Sequence, residues 1–439
     1  MGNRRNTELG LIVMVMVVTA GAYVLASLGT TSELPVDIVP FLAVVAGLML
    51  VAHLALRRLA PDADPILLPL AALLNGLGYV VIAGLDTGLA GLQALWTAVG
   101  ITAFVGTLFF VRRVRDLQRY RYTFLLIGFV LLVLPFVPAI GVEQGGARIW
   151  VELGPINFQP GEATKLVLAL FFAAYLVEKR ELLRTGTRRI GPFHVPDPKY
   201  LGPILIAWGV SLVVMIAQKD LGTSLLFFAL FVVMLWVATE RPSWLVVGGL
   251  LFVAGAWFTF ATFAHVELRV DIWLDPWRDV EGDGYQVAQA AFAMAFGGIT
   301  GTGLGLGGNV AIPLAESDFI FASVAEQLGL LGATVILVSF LIMIGTGLRV
   351  AMRTDQPFEK LLATGLTALL GVQAFIIIGG VTRVLPLTGV TLPFVSYGGS
   401  SLVANYVLLA LLLRISDEND GPSSRTLPKL REPTQVVSS

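Results

Sequence analysis

Long apolar stretches, broken by short clusters of arginine and lysine, dominate the chain. A hydrocarbon core about 30 Å thick is crossed by about 20 mostly apolar helical residues. Stretches of that kind lie near 9–29, 36–56, 66–84, 91–111, 122–140 and 163–178. Six more lie near 200–217, 222–238, 244–264, 320–348, 361–381 and 398–414. The pattern predicts an all-α polytopic membrane protein of about 12 transmembrane helices within residues 1–414. The first stretch is expected to be a span and not a signal peptide, because it is full length and further membrane follows at once. Two connections are long, about 141–161 and 265–319. The second holds Trp273, Trp277, Tyr285 and an apolar run from Val287 to Phe296 that is too short to span. That run reads as an interfacial or re-entrant helix leading into a glycine-rich segment.

The basic clusters set the orientation, since lysine and arginine in short loops stay in the cytoplasm. Arg4 and Arg5 precede the first span, Arg57 and Arg58 follow the second, and Arg112, Arg113, Arg115, Arg119 and Arg121 follow the fourth. Further clusters follow the sixth, eighth, tenth and twelfth, so all fall on one side and both termini are expected in the cytoplasm. The long loops then lie outside. Residues 415–439, rich in Ser, Pro and charge, predict a disordered cytoplasmic tail.

Composition agrees: 56% of residues are hydrophobic, 13% are charged and mean hydropathy is +0.83. So little charge does not cover a water-soluble body of 439 residues. Lys plus Arg number 29 against 30 for Asp plus Glu, which leaves no bulk charge for nucleic acid as partner. With no cysteine there are no disulfides or thiolate sites. His53, His194 and His265 show no ligand spacing and read as incidental.

Polar residues inside or beside spans are costly and mark candidate sites. Gln218-Lys219-Asp220-Leu221-Gly222-Thr223 forms a tight outward turn in which Asp220 either caps the next helix or faces a site. Arg148-Ile149-Trp150 precedes Phe158-Gln159-Pro160-Gly161-Glu162 and Lys165. Glu162 and Lys165, three apart, are either a helix-start ion pair or a cation and carboxylate at a lipid headgroup. Seven glycines run from Gly297 through Gly308, followed by Ser317-Asp318-Phe319-Ile320-Phe321-Ala322. The glycines follow no strand, so no nucleotide site is expected, and haem is not expected either. Asp318 sits at the mouth of the tenth span, where it caps or reacts, and Glu326 lies about two turns further in. The last constellation is Leu385-Pro386-Leu387-Thr388-Gly389, then Leu392-Pro393-Phe394-Val395-Ser396-Tyr397-Gly398-Gly399-Ser400-Ser401. So broken a backbone at membrane depth is tolerated where it lines a cavity.

The last constellation resembles the signature of the SEDS family, which includes RodA, FtsW and SpoVE. Phe158-Gln159-Pro160-Gly161-Glu162 resembles the family's FQPSE, Gln218 to Thr223 its QPDLGT, and Ser317 to Ala322 its TDFIFA. The likeness covers roughly 120–415 and is nearest the actinobacterial RodA branch, which similarly begins with extra spans. The family core of ten helices would occupy about 66–414, after extra helices at about 9–56. Gly161 stands for serine, Lys219 for proline, Gln327 for a second acidic residue, and Ile377 and Arg383 for asparagine and glycine.

The resemblance implies a peptidoglycan glycosyltransferase that polymerises lipid II, the undecaprenyl-pyrophosphate-linked precursor, into β-1,4-linked strands outside the bacterial cell membrane. It also implies a cognate class B penicillin-binding protein and other elongation or division machinery as partners. The family's catalytic position matches Asp318. A carboxylate there can take the proton of the attacking sugar hydroxyl. The diphosphate leaving group needs charge stabilisation, from a divalent cation (Mg2+ or Mn2+) or a cation clamp. Lys165, Arg148, Arg269 and Arg383 are candidates for the clamp, and base and metal-ligand roles for Asp318 both stay open at this level. Glu162, Gln159, Asp220, Glu326, Ser396, Gly398, Gly399 and Ser400 complete the expected substrate site. A lipid II flippase or other transporter is the alternative class. It predicts related halves and a midplane site, and the two halves of this chain show no similarity. A catalytically idle scaffold fits poorly with the presence of both Asp318 and Glu326.

Overall fold

The computed structural model describes residues 2–34, 38–144, 146–154, 156–185, 187–190, 193–196, 198–307 and 312–421. The chain forms α1 (Gly2–Thr31), α2 (Ile38–Leu59), α3 (Leu67–Leu85), α4 (Thr87–Phe110) and α5 (Arg121–Val133). An antiparallel sheet of β1 (Gly141–Gln144), β2 (Ala147–Leu153) and β3 (Ile156–Phe158) leads to α6 (Pro160–Thr185). The hairpin β4 (Thr187–Ile190) and β5 (Phe193–Pro196) precedes α7 (Pro198–Ala217), α8 (Leu221–Thr239) and α9 (Ser243–Thr262). Then come α10 (Ala264–Leu274), α11 (Tyr285–Gly297), α12 (Ile320–Arg353), α13 (Pro357–Val381) and α14 (Gly399–Asp420).

Every predicted span falls on one of these helices. Among the described residues, eleven helices are long and apolar enough to cross a membrane. The 20-residue α7 coincides with the remaining predicted span, 200–217. Only helices let a lipid-exposed backbone satisfy its own polar groups. The short run in the long loop is helical too, as α11 of 13 residues. Two predicted ends move. The span 122–140 closes in a 3-10 turn at Phe136, because Pro135 lacks the N–H a longer helix needs. The last helix runs to Asp420 rather than 414, so residues 415–421 are ordered and leave the predicted tail. Residues 422–439, and Gly308 of the glycine run, lie outside the described residues.

Helices α6, α13 and α14 are buried along most of their length. Tyr406 of α14 is fully buried, and its hydroxyl accepts from Asn75 Nδ2 of α3 at 3.0 Å. Gly100 of α4 lies against the Tyr406 ring, where an added β-carbon would fall 2.6 Å from Cδ2. Small residues and interhelical hydrogen bonds of this kind hold helices together where lipid offers no hydrophobic drive. The outside is correspondingly apolar: α9 exposes Leu250, Val253, Trp257 and Phe258.

One end of the bundle is closed by charge. Arg414 donates to the carbonyls of Leu59 and Leu108, the last-turn acceptors of α2 and α4 that lack helical partners. Asp417 accepts from the Asp62 N–H at 2.8 Å, and Arg4 pairs with Asp420 at 2.6 Å, joining the two ends of the described chain. Within the first pair of helices, buried Glu8 pairs with Arg5 and with His53 Nδ1 at 2.7 Å. The other end, where α4, α6, α8 and α14 begin, is open.

Candidate active site

The open end encloses a cavity of about 950 Å³. Asp318, Glu162, Gln159, Asp220, Arg269, Gly398, Gly399 and Ser400 line it, so most of the predicted site residues are brought together. Four predicted residues are not in the lining. Arg148 is held back in β2, where its N–H donates to the Gln218 carbonyl, while its neighbours Ile149 and Trp150 face the cavity. Lys165, Ser396 and Glu326 sit behind the wall.

Helix α6 enters at Pro160, whose fixed φ suits a first helical position. One turn on, Lys165 meets Glu162 at 2.5 Å, with side chains only 2% and 5% exposed. Lys165 Nζ also donates to Gln373 Oε1 at 2.6 Å, and Gln373 Nε2 donates to the Thr391 carbonyl at 2.7 Å. The Thr391 hydroxyl continues to Ser401 Oγ at 2.8 Å. The predicted ion pair therefore forms, and its lysine is committed to the irregular 382–398 segment rather than to the cavity.

That segment holds the acidic loop in place. Ser396 Oγ accepts from the Leu392 N–H at 2.8 Å and donates to the Ser317 carbonyl at 2.6 Å. The Tyr397 N–H donates to the Glu316 carbonyl at 2.8 Å. Gly389 has φ +74, a conformation suited to glycine, and an added β-carbon there would sit 3.5 Å from Asp318 Oδ2. Behind the loop α12 begins at Ile320 and breaks at Gly329 (φ 64, ψ −164). The break folds the glycine segment over Glu326, whose carbonyl accepts from Thr302 N–H at 2.9 Å. The Glu326 side chain packs toward that segment, its Oε2 3.4 Å from where a β-carbon on Gly307 would sit, and it does not line the cavity.

Burial pushes the Asp318 carboxyl up to about 6, with the Arg269 guanidinium pulling it down and Glu316 pushing it up. Asp220 is also raised by burial, although it caps α8 by accepting from Thr223 N–H at 2.9 Å. Arg269, on α10, is lowered by burial and drawn back by Asp318 and Asp220. Its Nη1 is fixed to the Leu387 carbonyl at 3.1 Å. Arg383 lines the cavity, yet its Nη2 donates to the carbonyl of Trp273 at 3.2 Å, and Trp273 Nε1 returns a bond to the Arg383 carbonyl at 2.9 Å. That clasp fixes the end of α10.

Two lining residues, one of them a cation, are additions to the predicted set. Lys219 faces the cavity with φ 60, a conformation closed to proline, and its N–H bonds the Ile216 carbonyl at 3.0 Å. His265, read from the sequence as incidental, also lines the cavity, and burial, Arg269 and Lys219 lower its pKa. Gln373 was missed too, although a lone glutamine in an apolar span is a signal of its own. Trp96, Trp150, Trp273 and Tyr397 add aromatic surface. A β-carbon on Gly399 would fall 2.1 Å from the Trp96 ring, so Gly399 serves to admit that ring.

Among the described residues no three carboxylates or histidines approach closely enough to hold a metal ion. Arg269 lies within electrostatic reach of both Asp318 and Asp220. The described residues thus offer no ready-made cage of three such ligands for a divalent cation.

Residues 79–421 match the model of the FtsW, RodA and SpoVE family, described as cell cycle proteins. The chain is 45% identical to peptidoglycan glycosyltransferase RodA of Mycobacterium tuberculosis H37Rv, over 98% of this chain and 94% of the relative. It is 34% identical to a probable peptidoglycan glycosyltransferase FtsW of Geobacter sulfurreducens, over 70% and 80%. Among solved structures it is similar to a chain of a peptidoglycan synthase complex that coordinates polymerization and crosslinking. There the TM-score is 0.67 at 28% identity, covering 81% of this chain and 98% of that one. Thermus thermophilus rod shape determining protein RodA matches with TM-score 0.57 at 25% identity, covering 82% and 98%.

Proposed function

The chain belongs to the FtsW, RodA and SpoVE family and is a peptidoglycan glycosyltransferase, and from that premise we propose that Asp318 is its catalytic base. The substrate in this reading is lipid II. The hydroxyl of the acceptor sugar attacks the anomeric carbon of the donor, Asp318 takes its proton, and the bond to the lipid diphosphate breaks. A single base on one face fits inversion of an α-linked donor to a β-linked strand. The observation that carries the reading is Asp318 itself, a cavity carboxyl raised to about 6 and facing a desolvated Arg269. A base is most effective when its pKa lies near the working pH.

Arg269 and Lys219 are the cations for the departing diphosphate, since Lys165 is paired with Glu162 and Gln373, and Arg269 is the lining arginine within electrostatic reach of Asp318. A Mg2+ or Mn2+ ion, where one takes part, comes with the diphosphate oxygens and not from a protein cage. The cavity lies at the end opposite the arginine-rich turns, which supports an outer-face site with both termini cytoplasmic. A class B penicillin-binding protein is the proposed partner for crosslinking. Its support is the likeness to the synthase-complex chain.

The test is polymerisation of labelled lipid II by the purified chain with its penicillin-binding partner, whose own glycosyl transfer is disabled. Polymer from the wild type and none from a folded Asp318→Asn bears the reading out. Normal polymer from the mutant refutes it.

A further inference from the structure

The family model begins at residue 79, after α1 and α2, so nothing in the match gives these helices a task. Their packing does. At the open end, α1 meets the glycine segment between α11 and the acidic loop, backbone against backbone. A β-carbon on Gly29 would fall 2.2 Å from the Leu304 carbonyl oxygen, and one on Gly305 would fall 2.1 Å from the Ala26 carbonyl oxygen. Ala22, Ala26, Val80 and Leu304 form a separate small core at this contact.

The far side of the same segment is bonded to the break in α12. Gly303 N–H donates to the Gln327 carbonyl at 3.0 Å, and Gly305 N–H to Gln327 Oε1 at 3.1 Å. Leu330 N–H returns a bond to the Gly298 carbonyl at 3.0 Å. The segment is thus pinned between α1 and the Gly329 break. Beyond the break lies the first part of α12, with Asp318 two residues before its start.

We propose that α1 is a positioning element for Asp318: by clamping residues 298–307 it sets the angle at which the first part of α12 leaves Gly329. The inference rests on Asp318 being the base. Nine residues separate Ile320 from Gly329, about 14 Å of helix. A tilt of about 4° at the break then moves the head of α12 by about 1 Å, and a misplacement of that size can cost about 10²-fold in rate. Substrate binding, spread over the cavity, is less sensitive to such a tilt.

The experiment compares Gly29→Val with Gly21→Val, a site on the same helix where an added β-carbon meets nothing within 4 Å. The chain has no cysteine, so Leu306→Cys in each background carries a single spin label. Gly29→Val should lose about tenfold or more in kcat with KM for lipid II within about twofold, and its label should become more mobile. Gly21→Val should match the parent in all three. A folded Gly29→Val with parental kcat overturns the proposal, and so does a fall in kcat with unchanged label mobility. Should Gly29→Val not fold, Gly29→Ala adds only the clashing β-carbon and is judged by the same outcomes. Label mobility is read without activity, so an active Asp318→Asn would sink the base assignment separately from the clamp.

Discussion

Removing the charge of Arg269 should move the pH dependence of the enzyme in a defined direction. Burial holds Asp318 at about 6, and Arg269 is the group that limits the rise. Opposite charges within about 4–6 Å shift a carboxyl by about 1–3 units. Taking the low end, Arg269→Met raises Asp318 by about one unit, toward 7. The base works only when ionised, so activity is lost as pH falls through its pKa. At pH 6 the wild type is about half ionised and the variant about one-eleventh, a loss of about sixfold from this cause. At pH 7 the loss shrinks to about twofold, and above pH 8 it nearly vanishes. Any remaining loss that does not change with pH belongs to the diphosphate contact. The assay is kcat/KM for lipid II from pH 5 to 9, whose acid limb reports the free enzyme. Arg269→Lys should restore the midpoint. An acid limb at the same pH in wild type and Arg269→Met would refute the coupling of Asp318 to Arg269 and, with it, Asp318 as the titrating base.

Three further outcomes follow. Lys165→Met leaves buried Glu162 without its cation and should destabilise by about 3–5 kcal/mol, whereas Glu162→Gln with Lys165→Met should recover much of it; thermal unfolding in detergent measures both. Ser396→Ala strips the Leu392 N–H and the Ser317 carbonyl of their partner and should lower stability by about 1–3 kcal/mol, read by thermal unfolding, and by loosening the acidic loop it should also lower kcat, read by single-turnover polymerisation. Lys219→Pro cannot keep φ 60 and should cost about 1–3 kcal/mol in unfolding. Lys219→Gly should keep the parental melting point while raising KM for lipid II.

The spans were legible because a 20-residue apolar run has one use in a membrane. Contacts between distant parts were not. Ile415 and Ser416 look like tail until Arg414 and Asp417 are seen gripping residues 59–62. Strands β1 to β3 are three to seven residues long and pass for loop, since pairing and not sequence period holds them. Of the site, the acidic loop and the α6 entry were readable from their motifs. The division of labour among cations was not: Lys165 looks as available as Arg269 until Gln373, 208 positions away, takes its ammonium. His265 carries no ligand spacing in the sequence, and its place in the cavity lining is set by where α10 lies.

The ion pair between Arg4 and Asp420 spans 416 residues, nearly the whole chain. At about 5–20 residues per second of synthesis, Arg4 is made about 20 to 80 s before its partner. Helices α1 and α2 therefore enter the bilayer long before the helix that anchors their charged end exists. Arg5, Glu8 and His53 satisfy one another within that first hairpin. Their pairing lets the hairpin sit in lipid with those three buried groups partnered until α14 arrives to engage its charged end.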